Sequence, residues 1–296
     1  MKPNFLLLGA TKSGTTTLSD LLDCHPEILI SRPKEPGHFH SEAEFSRGME
    51  YYWKEYFYHW RDEPAIGDCT TTHFYLPFVT ERIANRLPDA KLIVILRNPV
   101  NRAFSHWWML KSANIEKDEF PVSLRKNLIA LKSKHRFHGS DGQTNWNNYL
   151  SRTSDYAPTY LDVGHYATHI ENYLGFYDRS KLLVLQFEEL LKEPNEVIRK
   201  VCDFLEVSSI SLEQAETKSN VGSSMLFSRI RRVDQYLKIS KVLPLSVKIK
   251  VASLVNSYSK KPHIDNDSRE FLKEYYFSHN QRLSELLGRD FSHWNL

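Results

Sequence analysis

The sequence predicts a three-layer α/β sandwich, a central parallel sheet flanked by helices, with a helical elaboration towards the C-terminal end. Three observations predict it. Apolar runs bounded by turn signals stand at Phe5–Leu8, Leu92–Leu96 and Leu182–Leu185, and read as strands buried on both faces. Each is followed by a helical pattern: Thr15–Leu22, Val100–Lys111, and Asn195–Leu205 after a short connection. Strand-then-helix repetition requires crossovers over the faces of a parallel sheet. Ligands of such sheets bind at the carboxyl ends of the strands.

The remaining elements follow in chain order. Shorter strands are expected at Ile28–Ile30 and near Ala65–Ile66. Helices are expected at Met49–Tyr56, Phe78–Leu87, Pro121–Leu131, Tyr166–Tyr177 and Ser268–Leu287, with Gly164 just before a helix start and Pro194 in a first turn. Lys134–Asn148 is polar and turn-rich and reads as a loop, possible cover for a site. Arg229–Ser259 is basic, rich in Leu and Val, and reads as a peripheral helical segment. With no internal repeat or low-complexity tract, residues 1–296 read as one domain.

Composition narrows the function. At 41% hydrophobic residues the chain can bury a sizeable core, and a net charge of +3 is too small to argue for nucleic acid. No apolar run approaches the ~18 residues of a membrane span. The apolar stretch Phe5–Leu8 is too short for a signal peptide. Cys24, Cys69 and Cys202 are odd in number and far apart, which makes neither a disulfide framework nor a zinc site. They fit a reducing compartment, so a cytoplasmic protein is expected. The oligomeric state is not legible.

Two segments carry chemistry. After the first strand, Gly9-Ala10-Thr11-Lys12-Ser13-Gly14-Thr15-Thr16-Thr17 has the glycine spacing of a phosphate-binding loop. In the usual nucleotide triphosphatase pattern a lysine follows the second glycine directly. Here Thr15 stands there and the lysine is Lys12, inside the loop. Such a lysine sits near the first phosphate and whatever is bonded to it. The bland alternative is a strand-to-helix turn whose glycines only relieve backbone strain. In the second segment Arg97-Asn98-Pro99 ends a strand and Ser105 lies two helical turns later, so Arg97 and Ser105 would bracket a second phosphate. A surface ion pair is the alternative for Arg97, and for Ser105 alone bonding back to its own helix is the favoured reading. Arg102 reads as a solvated helix residue.

Together these segments resemble the PAPS-dependent sulfotransferases (PAPS, 3′-phosphoadenosine 5′-phosphosulfate). LLLGATKSGTTTL resembles their 5′-phosphosulfate loop and LRNPVNRAFSHWW their 3′-phosphate segment. SRPKEPGHF is similar to the acceptor-side segment of bacterial members, QFEELLKEP to a family strand and turn, and GHYATHIENYLGFY to the central helix of the heparan-sulfate-type branch. The C-terminal stretch from Asp265 to Trp294 is similar to that branch and its bacterial relatives.

The resemblance implies a P-loop-like fold and sulfuryl transfer from PAPS, leaving PAP, to a hydroxyl or amine of a carbohydrate or small-molecule acceptor. No metal is required. It implies that Thr11, Lys12, Ser13, Gly14, Thr15, Thr16 and Thr17 hold the 5′ end, with Lys12 also at the bridging oxygen. Arg97 and Ser105 would hold the 3′-phosphate. Glu35 falls on the catalytic carboxylate, a role that burial would favour by raising its pKa; a surface ion pair with Arg32 or Lys34 is the alternative. His38 is a second candidate base or a loop residue. Tyr166 would stack on or bond the cofactor or else belong to the core, and Lys260 or Lys261 would cap the cofactor or stay solvated.

Departures from the family's pattern are Cys69 in place of a lysine, His73 at a usually aromatic position, and the residues around Gly37-His38-Phe39. Trp53, Trp107, Trp108 and Trp146 are candidates for stacking on a sugar or for the core. Rival classes are an ATP-dependent phosphotransferase, which needs a lysine after Gly14, and a catalytically silent nucleotide-binding protein.

Overall fold

The computed structural model describes residues 2–132, 137, 141–151, 159–209 and 262–296. Five parallel strands form its sheet: β1 (Phe5–Gly9), β2 (Ile28–Ile30), β3 (Ala65–Asp68), β4 (Lys91–Leu96) and β5 (Leu182–Gln186), in spatial order β2-β3-β1-β4-β5. β1 thus lies between β3 and β4, with Phe5 opposite both Gly67 and Lys91. The three apolar runs and both shorter ones are all strands, because in a sheet covered on both faces no position can be polar without cost.

Side-chain alternation sorts the strands into two cores. Phe5, Leu7, Ile28, Ile30, Ala65, Ile93 and Ile95 share one cluster with Leu18, Leu22, Val197, Val201 and Leu205. These come from α1 (Thr15–Asp23) and α10 (Pro194–Leu205), so two helices cover that face. Leu6, Leu8, Leu29, Ile66, Leu92, Val94 and Leu96 point the other way. They meet Tyr52 of α3 (Gly48–Tyr56), Val79 and Ile83 of α4 (Pro77–Arg86) and Ile170 and Tyr173 of α8 (Tyr166–Leu174). Each fully buried Leu or Ile contributes about 1.5–3 kcal/mol, so a one-residue slip of any strand would exchange the two cores and is strongly disfavoured.

A third cluster joins α5 (Pro99–Ser112) and α6 (Phe120–Lys132) to a long helix at Asn266–Leu287 through Val100, Trp107, Leu124, Leu272 and Tyr276. Asp265 caps the long helix by accepting from Ser268 N (2.8 Å), and Gly288 ends it in the left-handed region. α5 starts at Pro99 behind Asn98, whose Oδ1 accepts from Val100 N at 3.0 Å.

Some expectations are corrected. The polar stretch before Asn148 is helical from Gly142 to Ser151 (α7), because Trp146 is 2% exposed and packs on Phe137, Tyr149, Tyr75 and His40. Buried Trp146, with Tyr149 stacked on it, anchors a helix whose other residues are mostly polar. α8 stops at Leu174, three residues short of the expected Tyr177. Arg102 is not solvated but wholly buried, its Nη2 donating to the carbonyl of Tyr160. Trp107, 4% exposed, is likewise a core residue. The segment Arg229–Ser259 lies outside the described residues.

Candidate functional site

β1 leaves the sheet into the glycine loop. Ala10 N still donates to Ile95 O of β4 at 2.8 Å, and Ser13 N closes a turn on Ala10 O at 3.1 Å. Gly14 then caps α1 with φ +89. A Cβ there would lie 2.6 Å from the ring of Phe187, which opens the short helix α9 (Phe187–Lys192), so only glycine fits. No side chain caps α1 and its first turn carries no acid. The N–H groups of Thr15–Thr17 and the positive end of the helix are left for an anion. Thr16 and Thr17 are exposed and Thr15 and Ser13 buried.

Lys12 is held at φ 70, an unfavourable backbone for a lysine that the loop imposes. Its ammonium lies 3.6 Å from Met109 Sδ on α5. Burial first, then the Arg97 charge, lower its pKa.

Arg97 leaves β4, the strand beside β1. Its Nη1 donates to Lys12 O at 3.1 Å and its guanidinium lies 4.7 Å from the centroid of Phe187. The two expected anion clusters therefore meet in one place. Asn98 fixes the corner: its N donates to Glu188 Oε1 (3.1 Å) and its Nδ2 to the carbonyl of Trp294 (3.2 Å). Ser105 lies half-buried further along α5. Tyr166 is 1% exposed, and its hydroxyl, beside Ser13, donates to Arg97 O at 2.8 Å. Burial pushes that phenol up to about 12. Tyr166 thus braces both clusters from behind, where contact with the cofactor was one of two expectations.

The third side of the site is the segment after β2. Glu35 adopts φ 61, is exposed, and accepts from Thr71 Oγ1 at 3.0 Å. The burial that would favour a general base is not found at this carboxylate. Neither expected ion pair forms: Arg32 pairs with Asp23 (3.7 Å), and Lys34 reaches back to Thr16 Oγ1 at 3.1 Å.

His38 is wholly buried, its ring stacked on Tyr52 at 4.4 Å, and neither nitrogen has a hydrogen-bond partner. Burial holds it down to about 4, the arrangement of a packed core residue. His73 is equally buried with both nitrogens unpartnered, and burial holds it down to about 3. Cys69, just after β3, is fully buried, and burial pushes its thiol up to about 12. Beside it Asp68 accepts from Tyr52 and Thr70, each at 2.5 Å.

Lys260 and Lys261 lie outside the described residues. Four residues near the site escaped sequence reasoning. Lys34 and Thr71 hold the acceptor side, Arg102 is a buried cation behind Arg97, and His106 is a buried imidazole beside Lys12 and Arg102. A signal for Lys34 existed in its place next to Glu35. Among the described residues no His, Cys, Asp and Glu gather as three or more metal ligands, and no helix is long and apolar enough to cross a membrane.

Residues 2–285 match the family described as the sulfotransferase domain. The bifunctional heparan sulfate N-deacetylase/N-sulfotransferase 1 of Homo sapiens is 30% identical over 96% of this chain, and the type 4 protein of Mus musculus 29% identical over 97%. The chain spans less than a third of these relatives' length, 29% and 30%. Among solved structures, a sulfotransferase from Alicyclobacillus acidocaldarius is similar with a TM-score of 0.68 at 26% identity, covering 100% of both chains. Mouse sulfotransferase SULT7A1 complexed with PAP shares the fold at a TM-score of 0.54 and 12% identity, over 95% of this chain and 86% of that one.

Proposed function

The chain belongs to the sulfotransferase family, and we propose that it is an enzyme that takes a sulfuryl group from PAPS and delivers it to a hydroxyl or amine of a carbohydrate or small-molecule acceptor. The observation that supports this reading is the 3.1 Å bond from Arg97 Nη1 to Lys12 O, which sets the two expected anion-binding segments side by side. A nucleotide phosphorylated at both its 3′ and 5′ ends needs two such grips side by side. The residues fit it: the uncapped N-terminus of α1 leaves donors for the 5′-phosphate, and Arg97 with Ser105 would hold the 3′-phosphate.

When bound, the donor supplies sulfur on a phosphosulfate anhydride: a bond forms from the acceptor atom to sulfur, and the sulfur–bridging oxygen bond breaks with its pair leaving on PAP. Lys12 stabilises charge gathering on that oxygen, and the loop that fixes its backbone fixes the direction of approach. Glu35 takes the acceptor's proton, held in place by Thr71. Glu35 is exposed, so it can meet an acceptor that has already begun to bond to sulfur and has become acidic. The donor lacks the β- and γ-phosphates that magnesium bridges in kinases, so no step above calls on a metal.

Cys24, Cys69 and Cys202, odd in number and far apart in the sequence, fit a cytoplasmic setting for this chain. The named activity of the heparan sulfate relatives favours an amine or hydroxyl on a sugar, and the open position of Glu35 suits an acceptor too large to be enclosed. Two measurements test the proposal. PAP should raise the melting temperature and ATP with magnesium should not. Labelled sulfate from PAPS should reach at least one member of a panel of sugars, aminosugars and hydroxylated metabolites. Stabilisation by ATP with magnesium alone would instead establish the phosphotransferase reading.

A further inference from the structure

Lys34 is a cation with an unusual choice of partner. It stands next to Glu35, yet its Nζ donates to Thr16 Oγ1 on the first turn of α1, 3.1 Å away. Among the described residues it makes no ion pair, Arg32 taking Asp23 and Glu35 taking Thr71. Its ammonium therefore rests on a neutral hydroxyl at the N-terminal turn of α1, beside the glycine loop.

The topology says where the charge sits. Over the sheet edge the order is β2, β3, β1, β4. From the β4 side Arg97 grips the loop at Lys12 O, and the Lys12 ammonium lies against Met109 of α5. From the β2 side comes Lys34, reaching the opposite flank of the same loop at Thr16. Both Lys34 and Glu35 act electrostatically on the buried thiol of Cys69, just after β3, so ammonium and carboxylate lie near the same residue. In an in-line transfer the group between the leaving oxygen, attended by Lys12, and the acceptor, attended by Glu35, is the sulfonate itself.

We propose that Lys34 is a further catalytic residue whose ammonium holds the transferring sulfonate from the side opposite Lys12. This rests on the donor assignment made above. The acceptor lone pair forms the new bond to sulfur, the bond to the bridging oxygen breaks with its pair passing to the 5′-phosphate, and the acceptor proton goes to Glu35. Lys34 neutralises the peripheral sulfonate oxygens, so that the incoming nucleophile can close on sulfur with a carboxylate beside it. Thr16 Oγ1 holds the ammonium in readiness.

PAP has no sulfonate, which makes the test sharp. Lys34→Gln should bind PAP within about threefold of the wild-type affinity by calorimetry, while kcat with PAPS falls at least about thirtyfold. Lys34→Arg, which keeps the charge, should recover most of that loss. Turnover of Lys34→Gln within about threefold of wild type overturns the proposal, as does an equal fall in PAP affinity and kcat, which would make Lys34 a holder of the 5′-phosphate. Should Lys34→Gln melt far below the wild type, Lys34→Met is read by the same two measurements. Failure of the wild-type chain to bind PAP overturns the donor assignment, and this proposal with it; the Lys34→Gln pattern overturns the proposal alone.

Discussion

Gly14→Ala is the substitution whose effect the geometry sets most directly. The residue has φ +89, where an L side chain costs about 1–2 kcal/mol. Its new Cβ would stand 2.6 and 2.8 Å from two ring carbons of Phe187, and overpacking of that kind costs about 1–3 kcal/mol. The sum is about 2–5 kcal/mol, which for a chain of this size lowers the melting temperature by about 4–10 °C. Phe187 also carries the Arg97 guanidinium, so a displaced ring moves the second anion grip together with the first. PAP affinity, read by calorimetry, should therefore fall at least about tenfold. The double variant Gly14→Ala/Phe187→Leu removes the contact and keeps the backbone cost, so it should recover the second part of the loss only. Melting within about 1 °C of wild type with unchanged PAP affinity would refute the loop conformation and the argument built on it.

Lys12→Ala should lower kcat at least about a hundredfold with PAP still bound. Glu35→Gln should do the same without loss of donor affinity, and a near-normal rate would mean that proton loss needs no protein base. Arg97→Ala removes a grip on the ligand and the bond to Lys12 O together, so PAP affinity should fall at least about tenfold, read by calorimetry. For pH, burial holds His38 at about 4 against 6.5 in an unfolded chain, so stability is lost as pH falls through that window. Asp68, raised to about 6 by burial, acts in the opposite sense and gains stability as its carboxyl takes up a proton. Arg82, Arg86, Glu44 and His73 also face this pair. His38→Phe should accordingly lose less melting temperature than wild type between pH 6.5 and 4.

Strands were legible because a sheet covered on both faces demands continuous apolar runs, and even the three residues Ile28–Ile30 meet that demand. The glycine loop and Arg97 were legible because a close backbone approach and a strand-end guanidinium have few other uses. What stayed hidden depends on partners distant in sequence. Arg102 looks like any surface arginine until the carbonyl of Tyr160, 58 residues on, takes its charge indoors. α7 has the composition of a loop, and only the pocket that receives Trp146 makes it a helix. His38 and Tyr166 carry functional groups that suit a site, and burial alone separates them from it. Lys34 was legible as a charge but not in its direction, which depends on where α1 begins.

The Asn98 corner ties Trp294, distant in sequence, to the proposed donor site. The carbonyl of Trp294 receives the Asn98 amide, and the Trp294 ring is 2% exposed, whereas Leu296 is 89% exposed. Trp294 thus works as a keystone for the corner that follows Arg97. Removing its carbonyl support is expected to slacken the proposed grip on the donor and so to imitate a defect in the glycine loop.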